Sequence, residues 1–255
     1  MEYHPNIAAA AHLIADPARA SMLIALLDGK ARPAGELAYA AGVTPQTAST
    51  HLAKLLDGGL LTVESEGRHR YYRLAGSHVA QTMESLAAIV PADRVPRKPP
   101  TREARHLQFA RSCYDHLAGR LGVAVTQALQ DRRVIVPAED KRFELTPAGR
   151  DWLADLGLDT GRLRPTRRGL ARQCLDWTER EHHLAGPLGV QLLDLLCRRG
   201  WLRRPAAGRA VEVTPQGRAG LKETLGVDAD ALRNGPAALS LSPSAGPAPS
   251  SRRRP

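Results

Sequence analysis

The second half of this sequence repeats itself, and a duplication restricts the folds open to a chain more than its composition does. Cys113-Tyr-Asp-His-Leu-Ala-Gly-Arg-Leu-Gly-Val123 returns as His183-Leu-Ala-Gly-Pro-Leu-Gly-Val190, preceded by Cys174-Leu-Asp-Trp177. Glu144-Leu-Thr-Pro-Ala-Gly-Arg150 returns as Glu212-Val-Thr-Pro-Gln-Gly-Arg218, and Leu156-Gly-Leu-Asp159 returns as Leu225-Gly-Val-Asp228. The offsets are 67, 68 and 69 residues, so single insertions separate the copies and the register holds. Each copy reads as a helix from His116 or His183, two short strands, and a helix opened by Thr-Pro. The strands are 134–136 with 142–145 in the first copy, and 201–203 with 210–213 in the second. The copies span about 106–159 and 173–231, joined by a basic linker at 160–172.

Upstream, residues 42–61 form a strongly punctuated stretch. Thr44 suits an N-cap, and Pro45 suits the first helical position, where its missing N–H costs nothing. Ala48, Leu52, Leu55 and Leu56 make one apolar stripe at helical spacing. The other side carries Gln46, Thr47, Thr50, His51 and Lys54, which are hydrogen-bonding side chains with a single cation. Gly58-Gly59 stops the helix. A lean donor and acceptor face of this kind is what base-edge readout in the major groove requires.

The flanks supply its context. An apolar helix is expected over 5–14, and Asp16-Pro17 opens a second helix through Leu27 with Met22, Leu23, Leu26 and Leu27 inward. A short third helix over 33–41 and the Gly42-Val43 turn complete a helix-turn-helix. Residues 60–64 and 69–73 then read as a hairpin whose tip carries Gly67, Arg68, His69 and Arg70. Arg68 and Arg70 on such a wing reach phosphates or a narrow minor groove. A further helix is expected over 77–90, with Val79, Met83, Leu86 and Val90 at helical spacing.

Asp16-Pro-Ala-Arg19, Glu36-Leu-Ala38, Gly42-Val-Thr-Pro-Gln-Thr-Ala-Ser-Thr-His-Leu52, Gly59-Leu-Leu61 and Gly67-Arg-His-Arg-Tyr-Tyr72 form an ordered set. On these residues, 5–90 resemble the ArsR/SmtB family of bacterial winged-helix repressors, over about a third of the chain. The resemblance implies a homodimer on a palindromic operator, packed through the first helix and the helix after the wing. Each copy of the repeat resembles a degenerate winged helix that lacks a polar recognition helix. Two-copy extensions of this kind resemble those of a subset of longer ArsR-type regulators. The family's metal-sensing positions are missing here. Leu37-Ala-Tyr-Ala40 stands where metal sensors carry a cysteine pair in the third helix. The helix after the wing offers only His78 and Glu84, six residues apart and therefore facing apart. A sensor, if present, lies elsewhere.

The net charge of +10 is unevenly spread. Residues 1–93 hold 7 Lys/Arg against 9 Asp/Glu, whereas 94–255 hold 29 against 17. The excess sits in three runs, 94–105, 160–172 and 252–254, which add salt-sensitive attraction to phosphates. The Pro-rich run 94–105 reads as a linker between a DNA-binding domain at 1–93 and the duplicated module at 106–231. Residues 232–255 read as a disordered tail. No apolar run approaches ~18 residues and no signal core follows Met1, so a soluble cytoplasmic protein without membrane contact is expected. Three cysteines are too few for a disulfide framework.

Cys113 and His116, one turn apart on the expected helix, suit two ligands on one face. Cys174, Asp176 and His182-His183 open the second copy. If the copies pack about a pseudo-two-fold, Cys113, His116, Cys174 and His183 converge as a Cys2His2 metal site or as a thiolate pocket for an electrophile. The competing reading makes both cysteines small buried hydrophobes and the histidines lining of the repeat. Cys197, in an apolar helix, reads as core. A glycine-rich phosphate loop, HExxH and GxSxG are all absent, which argues against an enzyme and leaves Cys/His thiol chemistry as the enzymatic alternative. The fold expected is mainly α with small β wings: an N-terminal winged helix-turn-helix followed by a tandem of two winged-helix-like repeats. The function expected is a homodimeric repressor on double-stranded DNA, released by a metal, thiol-reactive or small-molecule effector. The alternative is an effector-independent regulator whose repeat braces the dimer. No cofactor is expected beyond a metal ion at the Cys/His cluster.

Overall fold

A computed structural model describes residues 7–67, 69–89, 102–206 and 208–235. Its N-terminal part runs α1 (Ile7–Ala15), α2 (Pro17–Ala25), β1 (Arg32–Pro33), α3 (Ala34–Ala41), α4 (Pro45–Asp57), β2 (Leu61–Glu66), β3 (His69–Leu74) and α5 (Ser77–Ile89). Local chemistry sets these boundaries. Asp16 caps α2 by accepting from the Arg19 amide, and Thr44 caps α4 by accepting from the Thr47 amide, each ahead of a proline. Met22, Leu23, Leu26, Leu37, Leu52 and Leu55 are fully buried in one core. The strands form an antiparallel sheet in the order β1-β3-β2, with Val63 opposite Tyr72. This is a winged helix-turn-helix, with α3 and α4 as the two helices and β2-β3 as the wing.

The C-terminal part opens with α6 (Arg102–Phe109), so the last residues of the expected linker 94–105 are helical; residues 94–101 lie outside those described. Then come β4 (Arg111–Cys113), β5 (His116–Ala118), α7 (Gly119–Asp131), β6 (Ile135–Ala138), β7 (Arg142–Leu145) and α8 (Pro147–Asp155). The second copy follows as β8 (Ala171–Leu175), β9 (His182–Ala185), α9 (Gly186–Arg198), β10 (Leu202–Arg203), β11 (Glu212–Val213) and α10 (Pro215–Leu225), closed by α11 (Ala229–Asn234). Both ends of the expected linker 160–172 carry structure, a 3-10 turn at Thr160–Arg162 and the first residues of β8. Helix α11 likewise takes the start of the expected tail, whose residues from 236 onward lie outside those described.

His116 and His183 do not begin helices; they lie on strands β5 and β9. Ala118 and Ala185 are extended, and Gly119 and Gly186 take φ values of +76° and +79°, a conformation that glycine adopts at little cost. The helix therefore starts only at the glycine. Before it, each copy makes a hairpin, in which Cys113 pairs with His116 and Cys174 pairs with His183. The Cys and His of each copy meet by strand pairing, with no helical turn between them.

The two copies are not separate beads. One continuous core runs from Phe109 to Ala229, and β6-β7-β8-β9 form a single antiparallel sheet that crosses from the first copy into the second. The joint is reciprocal. A Cβ built on Gly122 of α7 would lie 2.6 Å from its own hairpin's Leu117 oxygen and 3.7 Å from the His183 Cβ of the other copy. Gly189 of α9 stands in the same relation to the Leu184 oxygen and to the His116 Cβ, the latter at 3.4 Å. Only a side chain without a Cβ lets each helix lie this close, and the approach brings the histidines of both copies to one place.

Candidate functional site

The recognition face is built by α4. Ala48, Leu52 and Leu55 turn inward, and Gln46, Thr47, Ser49, Thr50 and Lys54 are exposed on the far side. Thr47 shares a hydroxyl contact of 2.9 Å with Thr44, and the Thr50 hydroxyl donates to the Gln46 carbonyl at 3.4 Å, so both side chains are held yet keep acceptor lone pairs outward. His51 is placed differently. Its side chain is 15% exposed and its Nδ1 lies 3.8 Å from Asp16 Oδ1, so it packs toward the start of α2. On the wing, Arg70 is exposed and stacks 5.6 Å from the Tyr72 ring centroid. Arg68 lies outside the described residues.

The second cluster lies in the duplicated module. The ligand atoms of Cys113, His116, Cys174 and His183 all lie within 4.8 Å of one another. His116 Nε2 faces His183 Nε2 at 3.2 Å, and Cys113 Sγ faces Cys174 Sγ at 4.0 Å. His116 and His183 are only 3% and 1% exposed. Each is backed by a carboxylate from the Cys-x-Asp of its own copy. His116 Nδ1 is bonded to Asp115 Oδ1 at 2.9 Å, and His183 Nδ1 lies 3.5 Å from Asp176 Oδ2.

Electrostatics sort these groups. The hydrogen bond to Cys174, followed by burial, pushes the Cys113 thiol up to about 12, while the same bond holds the Cys174 thiol below its ordinary value. Burial works against a charged His116 ring, but the Asp115 bond and the Cys113 thiol outweigh it and raise the ring's basicity. Burial also works against an ionised Asp176. Arg111, His183 and the bonds from Thr178 and the Gly119 amide more than reverse that effect, so the carboxyl sits below the usual range. The Arg111–Asp176 pair itself is buried, with Nη2 to Oδ1 at 2.9 Å, and joins the first hairpin of one copy to that of the other.

On the helical period of α5, Glu84 and His78 face apart and make no ligand pair. Glu84 is nonetheless buried, and it points across to the C-terminal module. Its Oε2 lies 3.6 Å from Cys113 Sγ, and its Oε1 pairs with Arg209 at 2.5 Å. Arg209 in turn donates to the Leu27 and Ser112 carbonyls at 3.2 and 2.9 Å, and its amide donates to the Asp28 carbonyl at 2.6 Å. Neither Glu84 nor Arg209 belongs to a motif or to a periodicity that would have marked it. Cys197, expected in the core, is half-buried on α9 against it.

A helix-turn-helix domain family matches residues 14–64. The HTH-type transcriptional regulator YdfF of Bacillus subtilis (strain 168) is 44% identical over 224 residues, which is 88% of this chain and 99% of that relative. The chain belongs to the ArsR/SmtB-type helix-turn-helix transcriptional regulators. An alignment of that length extends well past the winged helix, so this ArsR-type regulator shares sequence with YdfF across its C-terminal module too. The HTH-type transcriptional regulator CmtR of Mycobacterium bovis is 43% identical over 77 residues, covering 30% of this chain and 64% of that one. Among solved structures, the winged helix-turn-helix DNA-binding domain of Mb0332 from Mycobacterium bovis aligns with a TM-score of 0.31 at 29% identity, over 35% of this chain and 89% of that one. DNA binding and transcription regulation are the function this family carries. Among the described residues, no single helix is long and apolar enough to cross a membrane.

Proposed function

We propose that this regulator is a cytoplasmic repressor that binds a palindromic operator as a homodimer and lets go when its C-terminal module, residues 106–231, takes up an effector. That effector is a metal ion, a thiol-reactive compound or a small molecule. The observation that carries the reading is the exposed polar face of Gln46, Thr47, Thr50 and Lys54 on α4, whose one acid, Asp57, stands at its C-terminal end, set beside the Arg70 wing. The dimer is supported by α1. Its Ile7, Ala8, Ala9, Ala10 and Ala11 are exposed, and none of its residues is buried within the protomer. Leu86 and Ile89 on α5 are likewise exposed, at 41% and 75%. Apolar helix surface left open in one protomer is the kind a second copy covers. Each half of the module runs hairpin, helix, hairpin, helix, and we read the halves as two winged-helix-like units that have given up DNA contact for effector sensing.

Footprinting and binding titrations on the operator test this. Thr47→Ala with Thr50→Ala should remove contacts worth ~1–3 kcal/mol per specified base pair while leaving non-specific binding intact. Unchanged sequence preference in that double variant would move readout away from α4.

A further inference from the structure

We propose that Cys113, His116, Cys174 and His183 form a tetrahedral S2N2 site for a soft divalent cation of the zinc class, assembled only where the two copies of the module meet. The site deepens the reading of the C-terminal module as the sensor and rests on it for its regulatory meaning.

The spacing of the ligand atoms is the first argument. Zinc–nitrogen bonds of ~2.0–2.1 Å and zinc–sulfur bonds of ~2.3 Å set at tetrahedral angles require N···N of about 3.4 Å and S···S of about 3.8 Å. The structure has 3.2 and 4.0 Å. The backing of the histidines is the second. With Nδ1 of His116 bonded to Asp115, its Nε2 carries the lone pair, and that atom faces the Nε2 of His183, both rings being buried. His183 Nδ1 is buried without a hydrogen-bond partner, 3.5 Å from Asp176. A carboxylate behind a ligating histidine is the arrangement that orients imidazoles on zinc. Charge is the third argument. Two thiolates and two neutral imidazoles cancel the charge of a divalent ion, so the occupied site is neutral and tolerates burial. Binding breaks the S–H bonds of Cys113 and Cys174, forms two metal–sulfur bonds, and releases the thiol protons to solvent.

Glu84 and Arg209 tie the site to the winged helix. Glu84 of α5 touches Cys113 Sγ on one side and Arg209 on the other, and Arg209 holds the turn after α2 through the Leu27 and Asp28 carbonyls. A metal on Cys113 displaces to solvent the thiol proton that Glu84 faces. The contact between module and winged helix therefore differs between the free and loaded states, as linkage of a ligand to operator affinity requires.

The test uses the full-length protein, prepared reduced and metal-free. Zinc is titrated in and counted by elemental analysis, and cobalt(II) serves as a spectroscopic probe of tetrahedral thiolate coordination. One ion per chain is expected in the parent and in Cys197→Ser, with affinity at least ~100-fold weaker in Cys113→Ser, Cys174→Ser and His183→Ala. Zinc should also protect Cys113 and Cys174 of the parent, but not Cys197, from alkylation, which needs no variant. No stoichiometric ion, equal binding in the double Cys→Ser protein, or a Cys113–Cys174 disulfide as the only change would overturn the site. For the coupling, zinc should alter operator affinity in the parent, and Glu84→Gln should bring the ratio of metal-free to loaded affinity toward one. An unaltered ratio would overturn the Glu84 route. Operator binding by the metal-free parent is read separately, so a failure of DNA recognition is not confused with a failure of the metal site.

Discussion

Replacing Asp176 with asparagine breaks the joint between the two copies at its most buried point. Asp176 is fully enclosed, and its partner Arg111 is 2% exposed. One carboxylate oxygen accepts from Arg111 Nη2 at 2.9 Å, from the Thr178 amide and hydroxyl at 3.0 and 2.7 Å, and from the Glu179 amide at 3.2 Å. The other accepts from the Gly119 amide at 2.7 Å. An asparagine must aim its NH2 at one of these sets of donors, so either orientation sets donor against donor and leaves the guanidinium without a counter-charge. Removing one partner of a buried ion pair costs about 3–5 kcal/mol. For a cooperative unit of this size each kcal/mol is worth roughly 4 °C, so the melting temperature should fall by about 10–20 °C.

The assay is thermal unfolding followed by circular dichroism, with Arg111→Met/Asp176→Asn completing a cycle. Removing both charges should restore much of the loss, because the cost lies in the orphaned charge. The pH dependence has a definite sign. The folded-state carboxyl is held below its unfolded value, so its stabilisation is complete above about pH 4 and is lost as pH falls through the folded value. The gap between parent and Asp176→Asn should hold from neutrality to about pH 4 and close below it. A variant that melts within ~2 °C of the parent, or a double variant no better than the single, would refute the reasoning.

Arg70→Ala should weaken binding to all DNA sequences alike and lower the salt slope by about one unit, measured by titration at several salt concentrations; a loss confined to the operator would mean that the wing reads bases. Gly122→Ala and Gly189→Ala each drive a methyl into a carbonyl of their own hairpin and should cost roughly 1–3 kcal/mol in chemical denaturation. If only one of them is destabilising, the two packing joints are not equivalent. Arg209→Ala removes the donors to Leu27, Ser112 and Glu84, so hydrogen exchange should speed up in α5 and β4. Exchange unchanged in both would mean that Arg209 does not hold the domains together.

Much of this protein is legible residue by residue, because short-range chemistry decides it. Thr44, Thr146 and Thr214 each accept from the amide three residues on, and each stands before a proline that starts a helix, so all three Thr-Pro signals mark real boundaries. The α4 stripe and its polar back depend only on the 3.6-residue period. The duplication was visible because identical spacing survives divergence of composition. The Cys-x-Asp-His segment is ambiguous in sequence because its spacing fits a helical turn as well as a tight hairpin. What decides between them is the positive φ at Gly119 and Gly186, together with the neighbouring copy's helix lying over the histidine. That packing merges the copies into one core, and it brings Cys113 within 4.0 Å of Cys174 across 61 intervening sequence steps. Glu84 and Arg209 are further apart still in sequence, and no period or motif links them. Their pairing exists because two domains dock. Docking depends on the shapes of two finished surfaces, which no window of the sequence contains.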